Sequence, residues 1–248
     1  MQNTSLITTI IFALIGGILP ATIWLHFWLK EDKAHPEPKK LILLTFFLGA
    51  LCVPVALFAQ WITSHFFTDG LEIDEFMIKA PQLGVIIIIT WSLIEESLKL
   101  LAAYFGGLHT RDNDEPVDVI VYLITASLGF AALENALFLF APILTGDTAT
   151  ALITTNMRFI GATLLHVACS SLIGFFMAFS YFFKKELKAF YLITGLVLSI
   201  GLHTLFNLSI IKNKENIFET FLVVWLVIAL VLVLFEKIKK IHLNKIKE

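Results

Sequence analysis

The stretch Trp91–Phe105, WSLIEESLKLLAAYF, sets Glu95, Glu96 and Lys99 in the middle of an apolar segment long enough to cross a membrane. A charged residue at the bilayer centre costs roughly 2.5–3.5 kcal/mol on insertion scales. Three together would oppose insertion by about 10 kcal/mol unless other groups compensated them. The rest of the chain therefore has to supply partners for these three residues.

The surroundings are apolar throughout. Of 248 residues, 58% are hydrophobic and 15% charged, and 23 are Phe. The mean hydropathy is +0.85. A soluble domain carries about 45–50% apolar residues, so the composition describes an integral membrane protein. No polar stretch is long enough to build a separate soluble domain, and residues 1–248 read as one membrane domain. The net charge of −2 excludes a nucleic-acid binder. Cys52 and Cys169 lie inside apolar segments without metal-site or CxxC spacing and read as small core residues.

A span needs about 20 predominantly apolar residues. That rule predicts an all-α, polytopic helical bundle of about seven spans, near 5–29, 41–64, 83–106, 117–141, 157–183, 189–211 and 217–235. The first has no Lys or Arg before Lys30 and lacks the positive start of a signal peptide, so it reads as an uncleaved span. Segments 30–40, 66–82, 107–116, 142–156, 184–188 and 212–216 read as loops, with Pro116 opening the next helix.

Lys and Arg set orientation. Thirteen of them fall in alternate loops and the C-terminal tail, including Lys33, Lys39, Lys40, Arg111, Lys184, Lys185 and Lys188. Lys79, Arg158, Lys212 and Lys214 fall on the other side. The richer side is cytoplasmic by this rule, which puts the N-terminus outside and the C-terminus inside a bacterial cytoplasmic membrane. Residues 236–248, EKIKKIHLNKIKE, read as a basic cytoplasmic tail that stops transfer.

Four spans carry ionisable groups at helical spacings. In the third, Glu95 and Lys99 stand at i,i+4 on one face, and Glu96 points about 100° away. That spacing predicts a Glu95–Lys99 pair and leaves Glu96 in need of another partner. The fourth span carries Glu134 and Asn135, with Phe130 and Phe138 as expected core residues. The fifth has His166 with Ser170 one turn on, and the sixth has His203 and Asn207 at i,i+4. At about 1.5 Å per residue, Glu95, Glu134, His166 and His203 all fall roughly 10–18 Å below the outer surface. They can meet in one layer, as intramembrane ionisable groups usually do when they face a bundle interior.

Three glutamates against Lys99 leave an excess of −2 if all ionise. A divalent metal would neutralise that excess, and two His with one Glu form a zinc-type ligand set, here Glu134, His166 and His203. Without a metal, a glutamate would take a proton from water while His and Asn side chains hold the oxyanion. Taken singly, a buried His or Asn also serves as a helix-to-helix hydrogen-bond partner. The same residues would suit a proton-coupled transporter or a non-enzymatic membrane scaffold, although internal repeats of the transporter type are absent from the sequence.

In order along the chain, EESLK, GFAALEN, RFIGATLLH and LHTLFN resemble the motifs of the PrsW family of intramembrane proteases, a group related to the type II CAAX prenyl endopeptidases. HPEPKK at 35–40 resembles the family's Glu-Pro segment. The resemblance implies an endopeptidase acting on a membrane-anchored protein, such as an anti-sigma factor, in regulated intramembrane proteolysis. It carries Glu95, Glu96, Glu134, Asn135, His166, His203 and Asn207 over as site residues, and it implies either a metalloprotease, with zinc as the ion, or a glutamate-activated water without a metal as in the related enzymes; Glu95 or Glu96 is the expected base, tuned by Lys99. The related enzymes commonly have His where Glu134 stands, so their mechanism transfers imperfectly.

Overall fold

Thirty-residue apolar runs with few charges fold as helices here because every backbone polar group must find its partner inside the segment. The computed structural model describes residues 5–31, 35–68, 70–212 and 217–246, and among them there is no strand. The helices are α1 (Leu6–Glu31), α2 (Lys39–Thr68), α3 (Ile73–Lys79), α4 (Pro81–Ala103), α5 (Pro116–Leu144), α6 (Thr148–Met157), α7 (Thr163–Phe179), α8 (Lys185–Lys212) and α9 (Ile217–Ile246). Two π-helical turns, Tyr104–Leu108 and Arg158–Ala162, interrupt the α register after α4 and before α7. Six stretches are long and apolar enough to cross a membrane: Leu6–Lys30, Lys39–Lys79, Pro116–Leu144, Thr148–Phe179, Lys185–Ile211 and Phe218–Lys240. With α4, which carries the charged triplet, they make the polytopic bundle.

Burial is uneven in a way that positions the polar residues. In its most apolar window α5 is 94% buried, against 28% for α1, so α5 is the axis around which the others stand. Close helix approach makes this possible. A Cβ on Gly49 of α2 would lie 2.0 Å from the Ala126 carbonyl oxygen of α5, and one on Gly129 of α5 would lie 1.9 Å from that of Phe46. Each helix thus presses a glycine against the other's backbone, the small-residue packing typical of membrane bundles. The outward faces carry large apolar side chains such as Phe47, Phe58, Phe190 and Leu226. In water so continuous an apolar surface would aggregate, whereas in lipid it is the solvated face.

The start of α5 is built as expected, with Pro116 at its first position. Asp118 Oδ2 accepts the backbone N–H of Glu115 at 2.6 Å within a reciprocal capping box. The HPEPKK segment docks here, with Tyr122 donating to Glu37 and His35 beside Glu115.

Two expected loops contain helices. Segment 66–82 holds α3, steadied by a Lys79–Glu75 pair at 2.9 Å. Segment 142–156 turns at Gly146 (φ +72°) and enters α6. Asp147 caps α6 by accepting Thr150 N–H at 3.0 Å, and the two bonds from Thr150 hold its carboxyl below the usual range. Residues 213–216 of the expected loop 212–216 and part of 30–40 lie outside the described residues, as do the last two residues of the 236–248 tail. The backbone of α9 otherwise continues as helix through that tail to Ile246.

Candidate active site

Residues from four helices meet at one place: Glu95, Glu96 and Lys99 of α4, Glu134 and Asn135 of α5, His166 of α7, and His203 of α8. Lys99 is fully buried and lies at the centre of the cluster. Its Nζ donates to Glu96 Oε1 at 2.5 Å and to His166 Nδ1 at 3.0 Å, and sits 5.4 Å from the Phe130 ring centroid. The partner of Lys99 is therefore Glu96, at i,i+3, and the expected i,i+4 pair with Glu95 is corrected. Both spacings bring side chains together on a helix. The choice falls to Glu96 because His203 Nδ1, at 2.6 Å from the same Oε1, anchors that carboxylate from α8.

Glu95 is left facing the other way. Its Oε1 accepts Gln60 Nε2 of α2 at 2.9 Å, and its Oε2 lies 3.7 Å from His203 Nε2. His203 thus stands between the adjacent glutamates, one nitrogen toward each. Its ring is 5.4 Å from that of His166.

An ammonium has only protons to give, so His166 Nδ1 accepts from Lys99 and its proton sits on Nε2. That nitrogen is 2.9 Å from Glu134 Oε2. Arg158 donates to the same Glu134 oxygen through Nη2, and through Nε to Asn135 Oδ1 at 2.5 Å. Asn135 in turn donates to Thr163 Oγ1 at 3.0 Å. The guanidinium lies 3.9 Å above the Phe138 ring.

Gln60 and Arg158 are site residues that the sequence does not predict, Arg158 reading there as an outer-side charge. The signal available for Arg158 was its place eight residues before His166, at the head of RFIGATLLH. With Arg158 included, three carboxylates face two cations, Lys99 and Arg158, and the excess falls to −1 with both His neutral. Phe130 is core, 1% exposed, but Phe138 is 55% exposed and forms the platform under Arg158.

A cavity of about 480 Å³ opens beside the cluster. Its polar lining comes from Gln60, Glu95, Glu134, Arg158, His166, His203 and Asn207, and its apolar lining from residues such as Leu57, Ile88, Leu137, Phe206 and Ile210. Glu96, Lys99 and Asn135 are not among the lining residues. Trp91 lines this cavity and also a second one of about 340 Å³, whose walls include Ser64, His65, Thr68 and Glu72. Its indole N–H has no hydrogen-bond partner among the described residues.

The donor set suits a metal. Glu95, His166 and His203 each bring a ligand atom within 4.8 Å of the other two, and Glu95 Oε2 is buried without a hydrogen-bond partner. Two imidazoles and a carboxylate with one face toward a cavity are the ligands of catalytic zinc sites, which keep a position open for water. The structure puts Glu95 in this set where the sequence reading had placed Glu134. A second group, Glu96, Cys169 and His203, is also compact, but Glu96 is already paired with Lys99.

Carboxylates and imidazoles gathered between helices long and apolar enough to cross a membrane, around a mostly apolar cavity, describe, as a class, an intramembrane hydrolase. The family of PrsW intramembrane metalloproteases matches residues 37–234. Protease PrsW of Geobacillus kaustophilus is 28% identical over 205 residues, covering 82% of each chain. That of Bacillus subtilis is 31% identical over 179 residues, covering 72% of this chain and 71% of its own. That of Oceanobacillus iheyensis is 36% identical over 127 residues, covering 51% and 53%. The chain belongs to the PrsW family of intramembrane metalloproteases and is a membrane protease. No solved structure matches it.

Proposed function

We propose that the protein cuts a membrane-anchored protein within the outer half of the bilayer, with Glu95, His166 and His203 as its metal-holding face and Glu134 as its proton carrier. One observation carries this division of roles. Glu95 and Glu134 line the cavity, whereas Glu96 and Lys99 are sealed behind it. A bound divalent metal, zinc by ligand type, would acidify a water and polarise the scissile carbonyl.

The remaining work falls to side chains. Both contacts to Glu134 fall on Oε2. Its Oε1 is then the atom to take a proton from the attacking water and pass it to the departing amide nitrogen, so that one C–N bond breaks as one C–O bond forms. The Asn207 amide, on the cavity wall, donates to the developing oxyanion. Glu96 accepts the far N–H of His203 and fixes that ring as the second partner of a metal-binding histidine does, while Lys99, donating to the same Glu96 oxygen, holds the carboxylate in place. The polar cavity beyond Trp91 supplies the water. The substrate is read as a single-span regulator of the anti-sigma-factor kind, supported by the motif resemblance.

The test is cleavage, by purified protein in detergent, of dye-labelled casein and of a quenched fluorescent single-span peptide. Zinc should restore activity to chelator-treated protein. Glu134→Gln should keep bound metal and lose about 10²–10⁴-fold in rate, the range for general-base removal, whereas Glu95→Gln and His203→Ala should lose metal. Retained metal in Glu95→Gln, or full activity in Glu134→Gln, would overturn the assignment.

A further inference from the structure

Arg158 has a position that no helix-stabilising role requires. A basic residue on the way into an intramembrane span would ordinarily extend to the interface, yet this one turns inward and has 14% of its side chain exposed. The π-helical turn Arg158–Ala162 begins at this residue and breaks the register between α6 and α7. Such turns accommodate an extra residue and recur at functional sites. Here the turn aims the guanidinium at α5, where its two arms reach adjacent residues, Nη2 to Glu134 and Nε to Asn135, while its plane rests on Phe138.

The double contact matters because of what His166 does. The structure gives Glu134 Oε2 two donors, His166 Nε2 and Arg158. His166 is also a candidate metal ligand, and its other nitrogen is taken by Lys99. A metal on His166 would use the Nε2 lone pair, so the ring proton would sit on Nδ1, Lys99 would be left donating to Glu96, and Glu134 would lose its imidazole donor. Arg158 would then be the remaining donor on that carboxylate.

We infer that Arg158 is a positioning residue for the hydrolytic step: its fork, stacked on Phe138, holds the Glu134 carboxylate at the cavity in the metal-loaded enzyme. The inference rests on the reading of Glu134 as proton carrier. A lysine cannot reproduce the arrangement, since it offers one compact charge where a planar guanidinium serves two acceptors and stacks on a ring. Side chains that orient reacting groups through a hydrogen bond are worth about 10–100-fold in activity.

The experiment uses full-length protein in detergent with the quenched single-span peptide and the casein probe, and follows kcat, KM and bound metal together. Arg158→Lys and Arg158→Ala are expected to lower kcat by about 10–100-fold with KM and metal content unchanged. Guanidinium ion added to Arg158→Ala should recover part of the lost kcat and leave Arg158→Lys unchanged. Loss of metal in step with activity, a change confined to KM, or wild-type kcat in Arg158→Lys would overturn the inference, and the lysine variant decides the matter if Arg158→Ala does not fold. Full activity in Glu134→Gln would instead remove the underlying reading, as would a wild type that cleaves neither probe.

Discussion

Glu95→Gln and Glu96→Gln probe neighbours that differ by one position and face opposite ways. Glu96 shares a fully buried ion pair with Lys99, and removing one partner of such a pair typically costs about 3–5 kcal/mol. Compared as metal-free proteins in detergent, Glu96→Gln should therefore reduce the folded fraction and the thermal midpoint, whereas Glu95→Gln, at the cavity wall, should leave the midpoint near wild type. A destabilised Glu95→Gln beside an unaffected Glu96→Gln would mean that the pairing runs the other way. Sequence alone could not choose, because i,i+3 and i,i+4 partners lie on the same helical face and the deciding contact, His203, comes from a helix 107 residues away in the chain. The ionisable motif residues were legible, since each is a charge or imidazole where the bilayer disfavours one, and Asn135 and Asn207 stood out only by their spacing from Glu134 and His203. Arg158 was not legible, because it sits at a span's edge, where a basic residue is ordinary.

Helix α5 and its neighbours are where packing can be tested. Gly49→Leu or Gly129→Leu would drive a side chain into backbone at the α2–α5 crossing and should abolish folding, read as loss of a monodisperse peak on size exclusion. Gly201→Ala, where a Cβ meets nothing within 4 Å, should be neutral or raise stability by roughly 0.5–1 kcal/mol, because glycine is the costlier residue within a helix. The π-turn offers a further test. Deleting Ile160 should restore α register, rotate α6 by about 100° relative to α7, and withdraw Arg158 from Glu134, so activity should fall while α7 and His166 stay in place. The spans were legible from hydropathy with ends uncertain by several residues. The helices α3 and α6 were not, since they sit in segments with the polar, turn-forming composition of loops.

At the scale of the whole molecule, the excess of Lys and Arg in alternate loops predicts an external N-terminus. Cysteines introduced at 109–112 should resist membrane-impermeant reagent in intact cells, and those at 146–149 should react; the reverse pattern would invert the orientation. The enclosure of α5 bears on how the chain is made. It emerges from the ribosome after α1 and α2, the helices that shield one side of it, but before α7, which closes the other. A half-made protein would expose a strip carrying Glu134 and Asn135 that lipid solvates poorly. The nascent chain should therefore linger at the insertion machinery until α7 arrives, and truncations ending between α5 and α7 should be cleared by quality-control proteases faster than those ending after α7.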